Sequence, residues 1–214
     1  MRKTNVGLVE YAKKQVGKPY WFGCFGNIAT KELLAVKRKQ YPSYYKSSDF
    51  SKQLGVKVHD CIGLIKGYLW CSEPNGTPKY NSKQDVNAKT MYAISKTKGS
   101  IKSVKLQDGI LLFKGSSPSN IHHVGIYCTD GYVYEAKGHA WGVVKTKYKS
   151  SEWQYWCKCI YIDYTSEPKK YNVDEIVDMV IAGKLGNGDE RKKRVQQLGY
   201  DYDTIQKLVN KKLK

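Results

Sequence analysis

Histidine is scarce in this chain, at four residues in 214, and cysteine is little more common at six. The cysteines (24, 61, 71, 128, 157 and 159) are too few and too unevenly spaced to form a disulfide framework in a chain this long. No second cysteine pair or histidine cluster accompanies Cys157 and Cys159, so a structural zinc site has no basis, and neither a metal nor a cofactor is expected. No apolar run approaches a membrane span, and Met1 to Lys14 holds no apolar stretch of signal-peptide length. The expectation is a protein made soluble, without membrane insertion. Acidic residues are also short, 19 against 37 basic ones, for a net charge of +18.

That charge is uneven. Residues 171–214 carry a net +2, so +16 belongs to residues 1–170. Such a balance attracts polyanions, whether nucleic acid, anionic lipid or the acidic polymers of a Gram-positive wall. No helix-turn-helix, RNA-binding strand motif or zinc spacing accompanies it, so a nucleic-acid partner is carried only as the alternative. With 41% apolar residues the chain has enough for a proper core.

Periodicity divides the chain. Val6, Leu8, Val9, Ala12 and Val16 predict a helix over 6–17, and a second is predicted over 29–40. Lys46 to His59 is polar and irregular, and Cys61 to Cys71 predicts a buried helix in which Gly63 and Gly67 permit close packing. Strands follow at 110–113, 123–128, 132–136, 143–144 and 157–161. Helices first and antiparallel strands after predict an α+β domain, with N-terminal helices packed on an antiparallel sheet. The polar, proline-containing segment 165–171 is the expected linker between a domain at 1–164 and a module at 172–214. In that module the period returns to helical spacing, with stripes at Val173, Ile176, Val177 and Val180, at Val195 and Leu198, and at Ile205, Leu208, Val209 and Leu213. The pattern predicts a small three-helix bundle.

A nucleophilic cysteine needs a helix N-terminus and a basic partner to favour its thiolate. Cys61, opening its helix after His59-Asp60, meets the first condition, although a buried core thiol fits the residues equally well. Among the histidines, His123 shares its strand face with Gly125 and Tyr127, and the small glycine leaves room for a substrate. His122 falls on the apolar side as a structural or exposed residue, and His59 is too near Cys61 in sequence to be oriented against it. Glu135 and His139 are both candidates to orient the His123 ring. A three-residue loop, Thr129-Asp130-Gly131, brings both onto the face of His123, whereas a two-residue Asp130-Gly131 turn sends Glu135 to the other face.

HDCIGLIKGYLW, HHVGIY and GYVYEAKGHAWGVV, in that order, resemble the three blocks of the NlpC-type cell-wall cysteine peptidases, and GKPYWFG resembles the segment ahead of their nucleophile. The resemblance spans roughly residues 5–162 and implies a papain-like fold with Cys61 as nucleophile, His123 as base and Glu135 at the third position. It further implies that Tyr20 and Asp60 line the substrate groove; the residue-level alternatives are core packing for Tyr20 and helix capping for Asp60. Two positions depart from the family's habit. Glutamate stands where histidine, asparagine or glutamine is usual, which keeps His139 as a substitute, and Ile62 stands where serine is usual.

The tail, IAGKLGNGDERKKRVQQLGYDYDTIQKLVNKKL, is similar to a short wall-binding repeat first associated with a phage lysozyme, except that Leu185 replaces a tryptophan. That resemblance implies muropeptide binding, with Gly186 and Gly188 letting a saccharide approach the backbone and Arg191 contacting it. Together the two resemblances imply a peptidoglycan peptidase of the phage-endolysin kind. Its partners are then the stem peptide, the muropeptide and anionic wall polymers, and it waits in the host bacterial cytoplasm until lysis. Acyl transfer to another amide by the same Cys–His pair is a further alternative.

Overall fold

Thr4 begins the first helix by accepting the Gly7 amide on its side-chain oxygen at 3.1 Å, and Gly17, at φ +84°, follows its end. The helix, α1, runs over Asn5–Gln15 and buries Leu8, Val9 and Ala12 of the expected stripe together with Tyr11, while Val6 and Val16, at its two ends, are 37% and 43% exposed. The computed structural model describes residues 3–46, 49–72, 76–164 and 171–213. The chain divides into two units, Met1–Thr165 and Ser166–Lys214. Nearly all of the expected linker, 165–171, lies outside the described residues.

In the first unit a short strand, β1 (Phe25–Ile28), precedes α2 (Lys31–Gln40), which starts where the Thr30 hydroxyl accepts the Leu33 amide. The stretch read as irregular ends in a strand, β2 (Lys57–His59), paired antiparallel with β1. At three residues it is too short to show an alternation. Next comes α3 (Gly63–Trp70), two residues later than expected, so that Cys61 and Ile62 occupy the turn before it. Its glycines allow the predicted close packing. A Cβ at Gly63 would collide with the Cys24 carbonyl, and one at Gly67 would collide with the Tyr11 hydroxyl.

Beyond α4 (Ala88–Ile94) lie β3 (Lys98–Ser100), β4 (Leu111–Gly115), β5 (Ile121–Cys128), β6 (Tyr132–Gly138), β7 (Gly142–Lys147) and β8 (Tyr155–Cys157). They form an antiparallel sheet in the order β3-β8-β4-β5-β6-β7. Its core explains the unbroken apolar run Ile110–Phe113. Leu111 and Phe113 pack with α1, α3 and α4 on one face, while Ile110 and Leu112 pack with Tyr127, Val133 and Trp153 on the other. All four are fully buried, so truncating any one costs about 2–5 kcal/mol. The strand expected at 157–161 is corrected: it is β8, it begins at Tyr155 and ends at Cys157. Cys157 and Cys159 are both buried in the same core, which mimics a strand alternation after pairing has stopped.

The second unit holds α5 (Val173–Ile181), α6 (Gly188–Gln197) and α7 (Tyr202–Lys212). Asn172 and Glu175 form a reciprocal capping box at α5. Ile176, Val177, Val180, Leu185, Val195, Ile205 and Val209 make the core. Three members of the predicted stripes stay outside it: Val173 is 41% exposed, Leu198 36% and Leu213 66%, each at or beyond a helix end. Among the described residues, no helix is long and apolar enough to cross a membrane.

Candidate active site

Asp60 fixes the turn that carries Cys61. Its carboxylate accepts the Gly63 amide at 2.6 Å, capping α3, and the Gly23 amide at 2.8 Å, tying that cap to the preceding loop. The carboxyl is 8% exposed; burial pushes its pKa up, and the two amides with the Lys66 and Lys37 charges oppose the shift. Cys61 itself is half-buried in a groove of about 380 Å³ lined by Phe22, Tyr44, Ile62, Asn87, Lys89 and His122. Burial raises the thiol to about 12 and the Asp60 charge adds to this, while the backbone amides of Ile62, Val124 and Cys61 favour the thiolate.

The Val124 amide explains how a thiol on the helix layer meets β5. Tyr127 exchanges backbone hydrogen bonds with the β4 side, so Val124, three residues away, directs its N–H towards β6. Pairing of β5 with β6 stops at Ile126 and Tyr134, which leaves that N–H free for the Cys61 sulfur. The next residue back is His123.

The hairpin between β5 and β6 has the three-residue form: Cys128 pairs with Tyr132, and Gly131 stands at φ +85°. Glu135 therefore shares the face of His123, and its Oε2 lies 2.6 Å from His123 Nε2. The Thr146 hydroxyl of β7 donates to the other carboxylate oxygen. Glu135 is 1% exposed; burial acts to raise its carboxyl, but the hydrogen bonds from His123 and Thr146 outweigh it and hold the pKa below the ordinary value. Trp153 lies against the His123 ring with centroids 6.0 Å apart. A Cβ at Gly125 would come within 2.8 Å of that indole, so the glycine is what admits it. Neither Thr146 nor Trp153 was singled out from sequence, because their partners are fixed by strand register.

His139 is not behind His123, which corrects the expectation of a substitute third residue. A bulge between Ala136 and Gly138 ends β6, and the His139 ring sits among Tyr20, Phe50 and Tyr45 at centroid distances of 5.2, 5.3 and 5.5 Å. Burial lowers its pKa. Both ring nitrogens are buried with no hydrogen-bond partner among the described residues, although backbone groups of Tyr20 and Tyr44 lie near. Tyr20 is 9% exposed and packs on this ring; burial, then the neighbouring Cys61, raises its phenol well above the ordinary range. His122 is exposed and lines the Cys61 groove, because a bulge sets Gly115 opposite Ile121 and turns it out of the apolar face. His59 is fully buried with Nε2 2.9 Å from the Tyr11 hydroxyl. A wall of the groove that the sequence did not reveal is the Phe22–Tyr44 stack, with centroids 3.8 Å apart and planes 8° from parallel.

In the second unit Gly186 and Gly188 adopt φ +77° and +54°, and Arg191 folds back on this loop. Its guanidinium donates to the Gly186 carbonyl at 3.1 Å, Asn187 Oδ1 at 2.8 Å and Gln206 Oε1 at 3.4 Å. Leu185, standing where a tryptophan was expected, is 5% exposed in the core.

No curated protein gives a significant match to the chain. Solved structures similar to it include the NlpC/p60 domain of the peptidoglycan hydrolase SagA, at 19% identity over 72% of this chain and 98% of that one, with a TM-score of 0.41. RipB of Mycobacterium tuberculosis, a peptidoglycan hydrolase, is 22% identical over 75% of this chain and 67% of its own, with a TM-score of 0.43. RipD of the same organism, described as a non-catalytic NlpC/p60 domain protein, is 16% identical over 74% of this chain and 98% of its own, with a TM-score of 0.42. The CW_7 repeat matches residues 174–213, within the second unit. The NlpC/P60 family pattern matches residues 43–161, more than half of the chain and inclusive of Cys61, His123 and Glu135, and the chain belongs to that family.

Proposed function

We propose that the protein hydrolyses an amide bond in the stem peptide of bacterial peptidoglycan by a Cys–His thiol mechanism. The observation that carries this reading is the His123–Glu135 pair at 2.6 Å, on the strand whose Val124 amide meets the Cys61 sulfur. Glu135 holds Nε2 of the imidazole, which leaves Nδ1 for the thiol. Burial pushes the Cys61 thiol towards its protonated form, so His123 is assigned as the general base that takes the proton during attack. Cys61 Sγ attacks the scissile carbonyl while its proton passes to His123. Amides at the start of α3 stabilise the oxyanion. His123 then protonates the departing amine, and water hydrolyses the thioester to regenerate the thiol.

In this reading Asp60 lines the groove, as expected, and holds the Cys61 turn in place, while Tyr20 supports the wall from behind. The second unit binds the wall through the Gly186–Gly188 loop, with Arg191 shaping that loop. The chain is then a phage or prophage endolysin, kept in the host cytoplasm until a separate membrane pore releases it. Support comes from a hydrolase-family unit joined to a CW_7 repeat, and from a basic charge suited to anionic wall polymers.

Mass spectrometry of purified sacculi digested by the wild type and by Cys61→Ala tests the reaction and names the bond. New amino termini are expected only with the wild type, and equal digestion by both proteins overturns the assignment. Expression in a host with and without a membrane pore tests the endolysin reading, which predicts lysis only with the pore.

A further inference from the structure

Beside the Cys61 groove lies a second recess of about 430 Å³, and the two share Phe22, Asp60, Ile62 and Asn87 in their walls. Two lysines, Lys37 of α2 and Lys66 of α3, line it together with Asp60 and Asp85. By formal charge the recess is balanced, but by hydrogen bonding it is not. Asp60 is engaged by the Gly23 and Gly63 amides at 2.8 and 2.6 Å. Asp85 is engaged by Lys66 Nζ at 2.5 Å and by the Tyr80 hydroxyl at 2.9 Å. Each carboxylate oxygen therefore already has a donor.

The donors are in surplus. An ammonium carries three N–H bonds. Lys66, with a side chain only 10% exposed, directs one to Asp85. Lys37 directs one to Gln40 Oε1 at 3.1 Å. Asn87 uses its carbonyl oxygen to cap α4 by accepting the Thr90 amide at 2.8 Å, which leaves its NH2 group as a donor where recess and groove join. A concave, partly desolvated pocket whose ammonium groups keep unused N–H bonds, while each carboxylate oxygen already holds one donor, is matched better by an oxyanion than by a neutral amide, which lacks the charge.

We infer that this recess is a carboxylate-binding subsite, in which Lys37 and Lys66 receive a free carboxylate of the peptide substrate adjoining the bond presented to Cys61. The inference rests on the proposed peptide substrate and adds a discrimination to it. Stem peptides with that carboxyl free are preferred over those in which it is amidated. Lys66 is anchored by Asp85 and sets the depth of the site. Lys37, half-buried and on a different helix, supplies the adjustable second contact.

The test uses the synthetic stem pentapeptide L-Ala-γ-D-Glu-L-Lys-D-Ala-D-Ala with its glutamyl α-carboxyl free or as the primary amide. Binding is measured calorimetrically to the full-length Cys61→Ala protein, so that no turnover intervenes. The free acid is expected to bind about tenfold more tightly or better, the scale of a charge-assisted hydrogen bond. Adding Lys37→Gln should bring the two affinities to within about twofold, and adding Lys37→Arg should keep the preference. Equal binding of both peptides, binding of neither, or a preference that survives Lys37→Gln overturns the subsite. A wild-type protein that fails to cleave the peptide its Cys61→Ala variant binds with this preference overturns the hydrolase reading and leaves the subsite standing.

Discussion

His123 Nε2 and Glu135 Oε2 meet at 2.6 Å between two strands whose ladder has already parted. The contact depends on the splay. Because β5 and β6 separate beyond Ile126 and Tyr134, the imidazole and carboxylate fill the gap on one side while the Val124 amide is released towards Cys61. One local irregularity thus assembles three groups from two layers.

If Glu135 positions the ring, its removal should act on turnover more than on binding. Glu135→Ala is expected to lower kcat at least about a hundredfold with KM changed little, and His123→Ala to abolish turnover. Turbidity loss of purified sacculi measures both. Thr146→Val, which removes only the hydroxyl bond to Glu135, should have a smaller effect of the same kind.

His139→Phe separates the two former candidates for the third position. The ring lies in an aromatic cage away from His123, so the change should leave cleavage within about threefold. A hundredfold loss of activity in a folded His139→Phe protein would return the third role to that residue.

Acid should destabilise the first unit through His59. Its pKa falls from the ordinary 6.5 to about 3, first because it is buried and then because of the Lys57 and Lys18 charges. A depressed native value means the unfolded chain binds the proton more readily. The stabilisation from the neutral ring is therefore complete above pH 6.5 and is lost progressively towards pH 3. The amount is on the order of a few kcal/mol. Urea unfolding of the wild type and His59→Gln across that window should show a flatter pH dependence in the variant.

In the second unit, Arg191→Ala removes the guanidinium that joins the Gly186 carbonyl to Asn187 and Gln206. Loosening of the loop should cost about 1–3 kcal/mol of that unit's stability. Pelleting with purified walls should fall in parallel, while cleavage of small soluble muropeptides stays at the wild-type level. Deleting residues 168–214 should give the same split more fully.

Much of the fold is legible in the residues because burial imposes a period on them. The stripe of α1, the apolar run of β4 and the alternation of β5 each follow from which faces are covered. Short elements escape this reading. β2 and β3 have three residues each, too few for a period to be distinguished from chance. The early end of β8 escapes as well, since Cys159 continues the buried alternation without pairing.

For Cys61, sequence determined its place ahead of an apolar helix, the scarcity of histidines to serve it, and the glycines at 63 and 67 that seat that helix. Tertiary structure alone decided which side chain stands behind His123. A one-residue difference in the hairpin loop reverses the face of Glu135, and a bulge carries His139 away into its aromatic cage. It also decided that Lys37 and Lys66, from separate helices, face one recess beside the thiol. Periodicity is set by neighbours along the chain, whereas register, bulges and shared cavities are set by partners far along it.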